Sequence, residues 1–88
     1  MLEIKTAEPR KFEFSVDGDA YSVPILTDMP YDVIKSLLEV RKTGDAMQIS
    51  EWYISFFETH APGCTAKLSY NQIVALLESY DKACNTGE

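Results

Sequence analysis

Along the first third of the chain, apolar residues fall on every second position. In KFEFSVDGDAYSVPI, Phe12, Phe14 and Val16 alternate with polar residues, and Tyr21, Val23 and Ile25 do so again after Asp17-Gly18. A period of two marks a strand with one buried face. An Asp-Gly pair between two such runs suits a type I′ turn, whose two central residues both need positive φ. Parity then selects the register. A two-residue loop sets Phe14 opposite Tyr21 and Phe12 opposite Val23 on one face, whereas a three-residue loop would set the phenylalanines opposite Ser22 and Pro24. The predicted hairpin, about residues 11–25, therefore has one apolar side. A lone two-stranded hairpin is marginal in water, so that side needs a cover, which the following segments are expected to supply. Upstream, LEIK at 2–5 is a candidate third strand within an N-terminal arm of residues 1–10, and its pattern leaves both outcomes open.

Beyond residue 25 the period lengthens to that of a helix, three times over. TDMPYDVIKSLLEVRKTG predicts a first helix over about 30–43, with Thr27 or Asp28 as the cap, Pro30 in the first turn and Gly44 as the stop. At 100° per residue, Val33, Ile34, Leu37, Leu38 and Val40 share one arc, and Asp32, Lys35, Glu39 and Lys42 the other. A second helix is expected over about 46–60. Asp45 and Gln48 can form a capping box at its start, and APG at 61–63 ends it. Ile49, Trp52, Tyr53, Phe56, Phe57 and His60 recur along it in steps of three and four, and these aromatics are the expected heart of the core. Each buried one contributes roughly 1.5–3 kcal/mol. A third helix is expected over about 69–84, where Ser69 and Gln72 form a second box and Leu68 can staple onto Ile73. Ile73, Leu76, Leu77, Tyr80 and Cys84 form its apolar stripe, and 86–88 reads as a frayed end. The expected class is α+β, a hairpin packed on three helices in one domain spanning about 11–85.

Size and charge narrow what such a domain can do. At 88 residues the chain has room for one core, and its 45% hydrophobic content supports folding rather than disorder. A net charge of −6 repels a phosphate backbone, so no nucleic-acid partner is expected. The one basic cluster, Arg41 and Lys42 with Lys35 nearby, sits where a helix end favours cations, which makes capping its simpler role. No run approaches the ~18 apolar residues of a membrane span, and MLEIKTAEPRK lacks the apolar centre of a signal peptide. A cytoplasmic protein without a membrane partner is the expectation, with Cys64 and Cys84 as plain thiols in a reducing compartment.

Chemistry-bearing residues are sparse. His60, Cys64 and Cys84 are the only candidate zinc ligands of their kind, but a structural site wants four ligands and paired cysteines, so no metal is expected. A single histidine without a marked partner makes a weak case for nucleophilic catalysis. The carboxylates are scattered over solvated faces, and the glycine of VDGDAY serves its turn rather than a phosphate. No catalytic residue and no cofactor are expected. What remains is surface. Met47 and Ile54 lie opposite the aromatic stripe of the second helix, on a line with Glu51 and Glu58, while Tyr70 and Val74 lie off the main stripe of the third. The plain reading is packing under a neighbouring loop; if they cluster, they make a face for another chain. Met47, Ile54, Tyr70 and Val74, with Tyr31 as an outlier, are the candidate partner-binding residues.

The hairpin F-x-F-x-V-D-G-x-x-Y-x-V-P at 12–24 and the closing helix L-S-x-x-Q-I-x-x-L-x-x-x-Y at 68–80 carry a family resemblance. Together with the order of the helices between them, over about residues 11–88, they resemble the tail assembly chaperones of long-tailed bacteriophages, notably those infecting actinobacteria and other Gram-positive hosts. Members of that group often carry Trp near the position of Tyr80, and Cys64 and Cys84 belong to no pattern of the family. The resemblance implies a protein of the infected cell's cytoplasm, absent from the mature virion, that coats the long helical tape measure protein and keeps it soluble while the tail tube assembles. It also implies synthesis in two lengths by programmed frameshifting, this chain being the short form. Further expected partners are the longer form and a second copy of the chain. The alternative from another class is a small acidic inhibitor or adaptor that docks on a host protein. A mimic of phosphates would concentrate its carboxylates on one face, and here they are dispersed among lysines.

Overall fold

Asp17 and Gly18 both adopt positive φ, 51° and 88°, as a type I′ turn requires. The structure is a computed structural model that describes residues 1–86. The turn joins β1 (Lys11–Val16) to β2 (Asp19–Pro24), and the pairs Phe14–Tyr21 and Phe12–Val23 stand in the predicted register. A 3-10 turn, Leu26–Asp28, leads to α1 (Tyr31–Arg41), α2 (Ala46–His60) and α3 (Tyr70–Thr86), giving an α+β fold with the hairpin first and three helices after it. The third helix runs past its expected end near 84, and residues 87 and 88 of the expected frayed end lie outside the described residues.

The core is aromatic and centred on one side chain. Tyr80, 1% exposed, sets its ring edge-on to Phe12 at 5.4 Å and to Phe57 at 4.9 Å, and Phe14 lies 5.9 Å from Phe57. The apolar side of the hairpin is thus covered by α2 and α3, as its marginal stability alone demands. Val23, Ile25, Leu26, Leu37, Phe56, Ala61, Cys64 and Cys84 complete the buried cluster. From the expected stripes, Trp52, Tyr53, Leu76 and Leu77 pack on it half-buried, whereas Leu38 and His60 face solvent.

The hairpin register also explains why Tyr80 carries a hydroxyl. In an antiparallel ladder bonded and non-bonded pairs alternate, and the pair flanking a two-residue turn is bonded. Counting from Val16–Asp19, the bonded pairs are Phe14–Tyr21, Phe12–Val23 and then Arg10–Ile25, whose Ile25 N–H donates to the Arg10 carbonyl at 2.7 Å. Pro24 occupies a non-bonded position, where a missing N–H costs nothing and the carbonyl turns away from β1. That carbonyl is buried and needs a donor. The Tyr80 hydroxyl supplies it at 2.7 Å, from a residue 56 positions along the chain.

Three local expectations are corrected. Neither Thr27 nor Asp28 caps α1; its N-cap is Pro30, with no side-chain bond, because Asp28 is engaged elsewhere. Both Asp28 carboxylate oxygens accept from the Arg10 guanidinium, at 2.7 and 3.0 Å, and one also accepts the Arg10 backbone N–H at 2.9 Å. These bonds hold the Asp28 carboxyl down at about 2. The clamp's contribution is therefore present above the ordinary carboxylate pKa and lost as pH falls through about 2. Arg41 ends α1 as expected, yet its guanidinium reaches across to donate to the Tyr53 hydroxyl at 2.9 Å, tying α1 to α2 rather than only facing its own carbonyls. At Asp45 the carboxylate does cap α2, accepting from Met47 and Gln48, but the Asp45 N–H donates to the Thr43 hydroxyl and not to Gln48. The Ser69–Gln72 box forms in full. LEIK at 2–5 forms no strand, and the arm before Arg10 has no regular secondary structure, with residues 1–8 exposed and Pro9 half-buried.

Replacing Tyr80 by Phe keeps the ring stack and orphans the Pro24 carbonyl. Thermal or denaturant unfolding of Tyr80→Phe is expected to show a loss of about 1–3 kcal/mol, each kcal/mol being about 4–8 °C in Tm for a domain of this size.

Candidate partner-binding site

The cap at Asp45 starts α2 so that Ala46, Met47, Ser50, Glu51 and Ile54 fall on one stripe, on the side of the helix away from Phe56. The Ser69–Gln72 box starts α3 with Tyr70 as its first residue. Tyr70 comes to rest beside that stripe, and the six side chains line an open groove of about 410 Å³. Met47 is 70% exposed, Tyr70 74% exposed, and Ile54 half-buried at the floor. Four other concavities measure about 250–310 Å³, among them the cleft between α1 and α3. The α2–α3 groove is larger than each of these and mostly apolar, with Glu51 as its one carboxylate.

Met47, Ile54 and Tyr70, singled out by helical geometry, are brought together here. Val74 follows Tyr70 by one turn, half-buried, and does not line the groove. Tyr31, 67% exposed, stands at the start of α1 and belongs to no part of it. Glu58 departs from the outward line on which it was placed with Glu51. Its carboxylate turns into the connection between α2 and α3, accepting the Gly63 N–H at 2.8 Å, the Thr65 N–H at 3.0 Å and the Thr65 hydroxyl. Gly63 has φ +84°, a conformation that suits glycine, and Cys64 beside it is fully buried. The carboxylate thus gathers the donors of a tight loop whose other end is the Ser69 cap. Glu58 is in this way a positioning residue for Tyr70. Sequence pattern gave no signal for it, because its partners lie in the loop rather than on its helix.

The two cysteines and the histidine stand apart from the groove. Burial, helped by the Glu58 charge, pushes the Cys64 thiol up to about 11, which keeps it protonated at neutral pH and a weak nucleophile. Cys64 and Cys84 are both free and buried. His60 lies on the solvent side of Phe56, ring to ring at 4.7 Å. Among the described residues no three His, Cys, Asp or Glu side chains are grouped to hold a metal ion, and no helix is long and apolar enough to cross a membrane. Comparison with known proteins returned no matching family model, no matching curated protein and no matching solved structure.

Hydrogen bonds to Glu58 lower its pKa, the Thr65 hydroxyl contributing most and the amides of Gly63 and Thr65 next. A depressed carboxyl contributes stability that is complete above the ordinary carboxylate pKa and lost as pH falls through the folded value. Glu58→Gln is expected to cost about 1 kcal/mol at neutral pH, at the low end for a charged acceptor because water reaches the carboxylate. The stability gap between wild type and variant should narrow as pH falls below the ordinary carboxylate range and close as it passes the lowered folded value, measured by thermal unfolding across a pH series.

Proposed function

We propose that the protein is a bacteriophage tail assembly chaperone that holds the tape measure protein in solution through the α2–α3 groove. The observation that carries this reading is the convergence of Met47, Ile54 and Tyr70 in one recess on the outer side of α2. The resemblance of the 12–24 hairpin and the 68–80 helix to that family supports it independently of the groove.

The mechanism follows from helix geometry. Met47 and Ile54 are seven residues apart, so they stand about two turns, roughly 10 Å, apart along α2. An amphipathic helix laid on this groove presents anchors at matching spacing, i, i+3 or i+4, and i+7. One small groove gives a weak, exchangeable contact. A long helical partner offers many such stretches, so successive copies coat it while each remains easy to displace when the tube grows. The net charge of −6 then keeps the coated partner dispersed. No step requires a catalytic group or a cofactor, and the work is done in the cytoplasm of the infected cell before the virion is complete.

Co-expression with a tape measure fragment is the test. Wild-type protein is expected to carry the fragment into the soluble fraction, and Met47→Lys with Ile54→Lys to lose that capacity while keeping a wild-type circular dichroism spectrum. A folded double variant that still solubilises the fragment would remove the groove from the mechanism. A wild-type protein that fails to do so would remove the chaperone reading.

A further inference from the structure

The two-stranded sheet leaves β1 with an open edge, and the chain carries a strand-like arm with no place on its own body. By the ladder alternation established above, Lys11, Glu13 and Ser15 occupy non-bonded positions opposite Pro24, Ser22 and Ala20. Their N–H and C=O groups therefore point away from β2, a template for one more strand. The outer edge of β2 is a poorer template, since Pro24 offers no donor there. Alongside β1 runs a groove of about 250 Å³ between the sheet and α3, lined by Phe14, Val16, Leu68, Ala75 and Leu76 among others. In the arm, Leu2 is 82% and Ile4 80% exposed, spaced two apart like the residues of a strand.

We infer that the arm of one copy adds to the β1 edge of a second copy, reciprocally, to form an arm-exchanged dimer. One antiparallel register satisfies every side chain. Leu2 faces Val16 and Ile4 faces Phe14 on the side of the groove, while on the solvent side Lys5 faces Glu13 and Glu3 faces Ser15. Shifting this register by two residues toward Lys11 sets Glu3 against Glu13 and Lys5 against Lys11, two like-charge pairs, and the opposite shift sets Glu3 against Asp17 and leaves Leu2 beside Gly18 of the turn. A shift of one residue turns Leu2 and Ile4 to solvent.

The arm does not fill its own edge because its root is fixed. Arg10 continues β1, with its carbonyl bonded to Ile25 and its N–H and guanidinium bonded to Asp28, and Pro9 keeps Glu8 extended. Folding back would pair Ala7 with Lys11 through a three-residue loop, which places its third residue, Arg10, at positive φ. Among the described non-glycine residues only Asp17 has positive φ. A second copy fills the edge without breaking the clamp, and the exchange closes on itself as a two-fold dimer. This contact lies on the hairpin and uses none of the residues of the α2–α3 groove.

Sedimentation equilibrium of the full chain over roughly 1–200 μM tests the dimer. Wild type is expected to show a monomer–dimer equilibrium, and Glu13→Pro, which removes an edge donor as Pro24 does on β2, to weaken it tenfold or more. Lys5→Glu and Glu13→Lys should each weaken it severalfold, and the two together should restore it. If Glu13→Pro misfolds by circular dichroism, removal of residues 1–8 reads the same contact and should give a monomer. A wild type that stays monomeric throughout, or a dimer indifferent to the loss of the arm, would overturn the inference.

Discussion

The hydroxyl of Tyr80 and the carbonyl of Pro24 meet at 2.7 Å inside the core, and the arrangement of the other elements depends on that meeting. A hairpin of two short strands has too little surface to stand alone, and a helix at the end of a small domain tends to fray. Each is fastened by the other. The ring of Tyr80 lies edge-on to Phe12 of β1 and Phe57 of α2, so one side chain touches the sheet, the middle helix and, through its own backbone, the last helix. Hydrophobic burial supplies the magnitude, since large aromatic side chains bury the most area. The hydrogen bond supplies the register, because only one position on β2 offers a buried carbonyl that the ladder leaves free. Burial accordingly moves the Tyr80 hydroxyl well above the usual phenol range, and it stays a donor at all ordinary pH.

That concentration of the core on one side has a consequence for the other. α2 gives Phe56 and Phe57 to the interior and Trp52 and Tyr53 to its margins, and neither Met47 nor Ile54 belongs to that cluster. Met47 and Ile54 are free to serve as surface. Glu58 sits at the boundary between the two roles, since the loop it gathers carries the chain from the buried Ala61 and Cys64 to the cap before Tyr70. The groove is thus lined by one stripe of α2 and, across from it, by Tyr70 at the start of α3.

Patterns that reach only a few residues were legible in the sequence, and those that span the chain were not. The Asp17-Gly18 turn, the parity of Phe12 and Phe14, the Ser69–Gln72 box and the aromatic stripe of α2 are local rules, and each appears in the structure where the rule puts it. Asp28 read as a helix cap because capping is what an aspartate before a helix does most often. Its partner Arg10 lies 18 residues upstream, and no local pattern encodes such a pair. The same holds for Arg41 with Tyr53 and for Glu58 with its loop. At the candidate site, helical phase put Met47 and Ile54 on one stripe, and both line the groove. It could not say that Tyr70 would join them while Val74 and Tyr31 would not, because that depends on how α3 is set against α2.

Native-state hydrogen exchange tests most directly whether the sheet and the last helix are one unit fastened at Tyr80. The amides of Phe12, Phe14, Tyr21 and Val23 and those of Leu77 to Asp81 should exchange with one common opening free energy, equal to that of global unfolding. If the α3 amides exchanged through a lower-energy opening of their own while the hairpin amides stayed protected, Tyr80 would not be the fastening that the rest of the structure depends on.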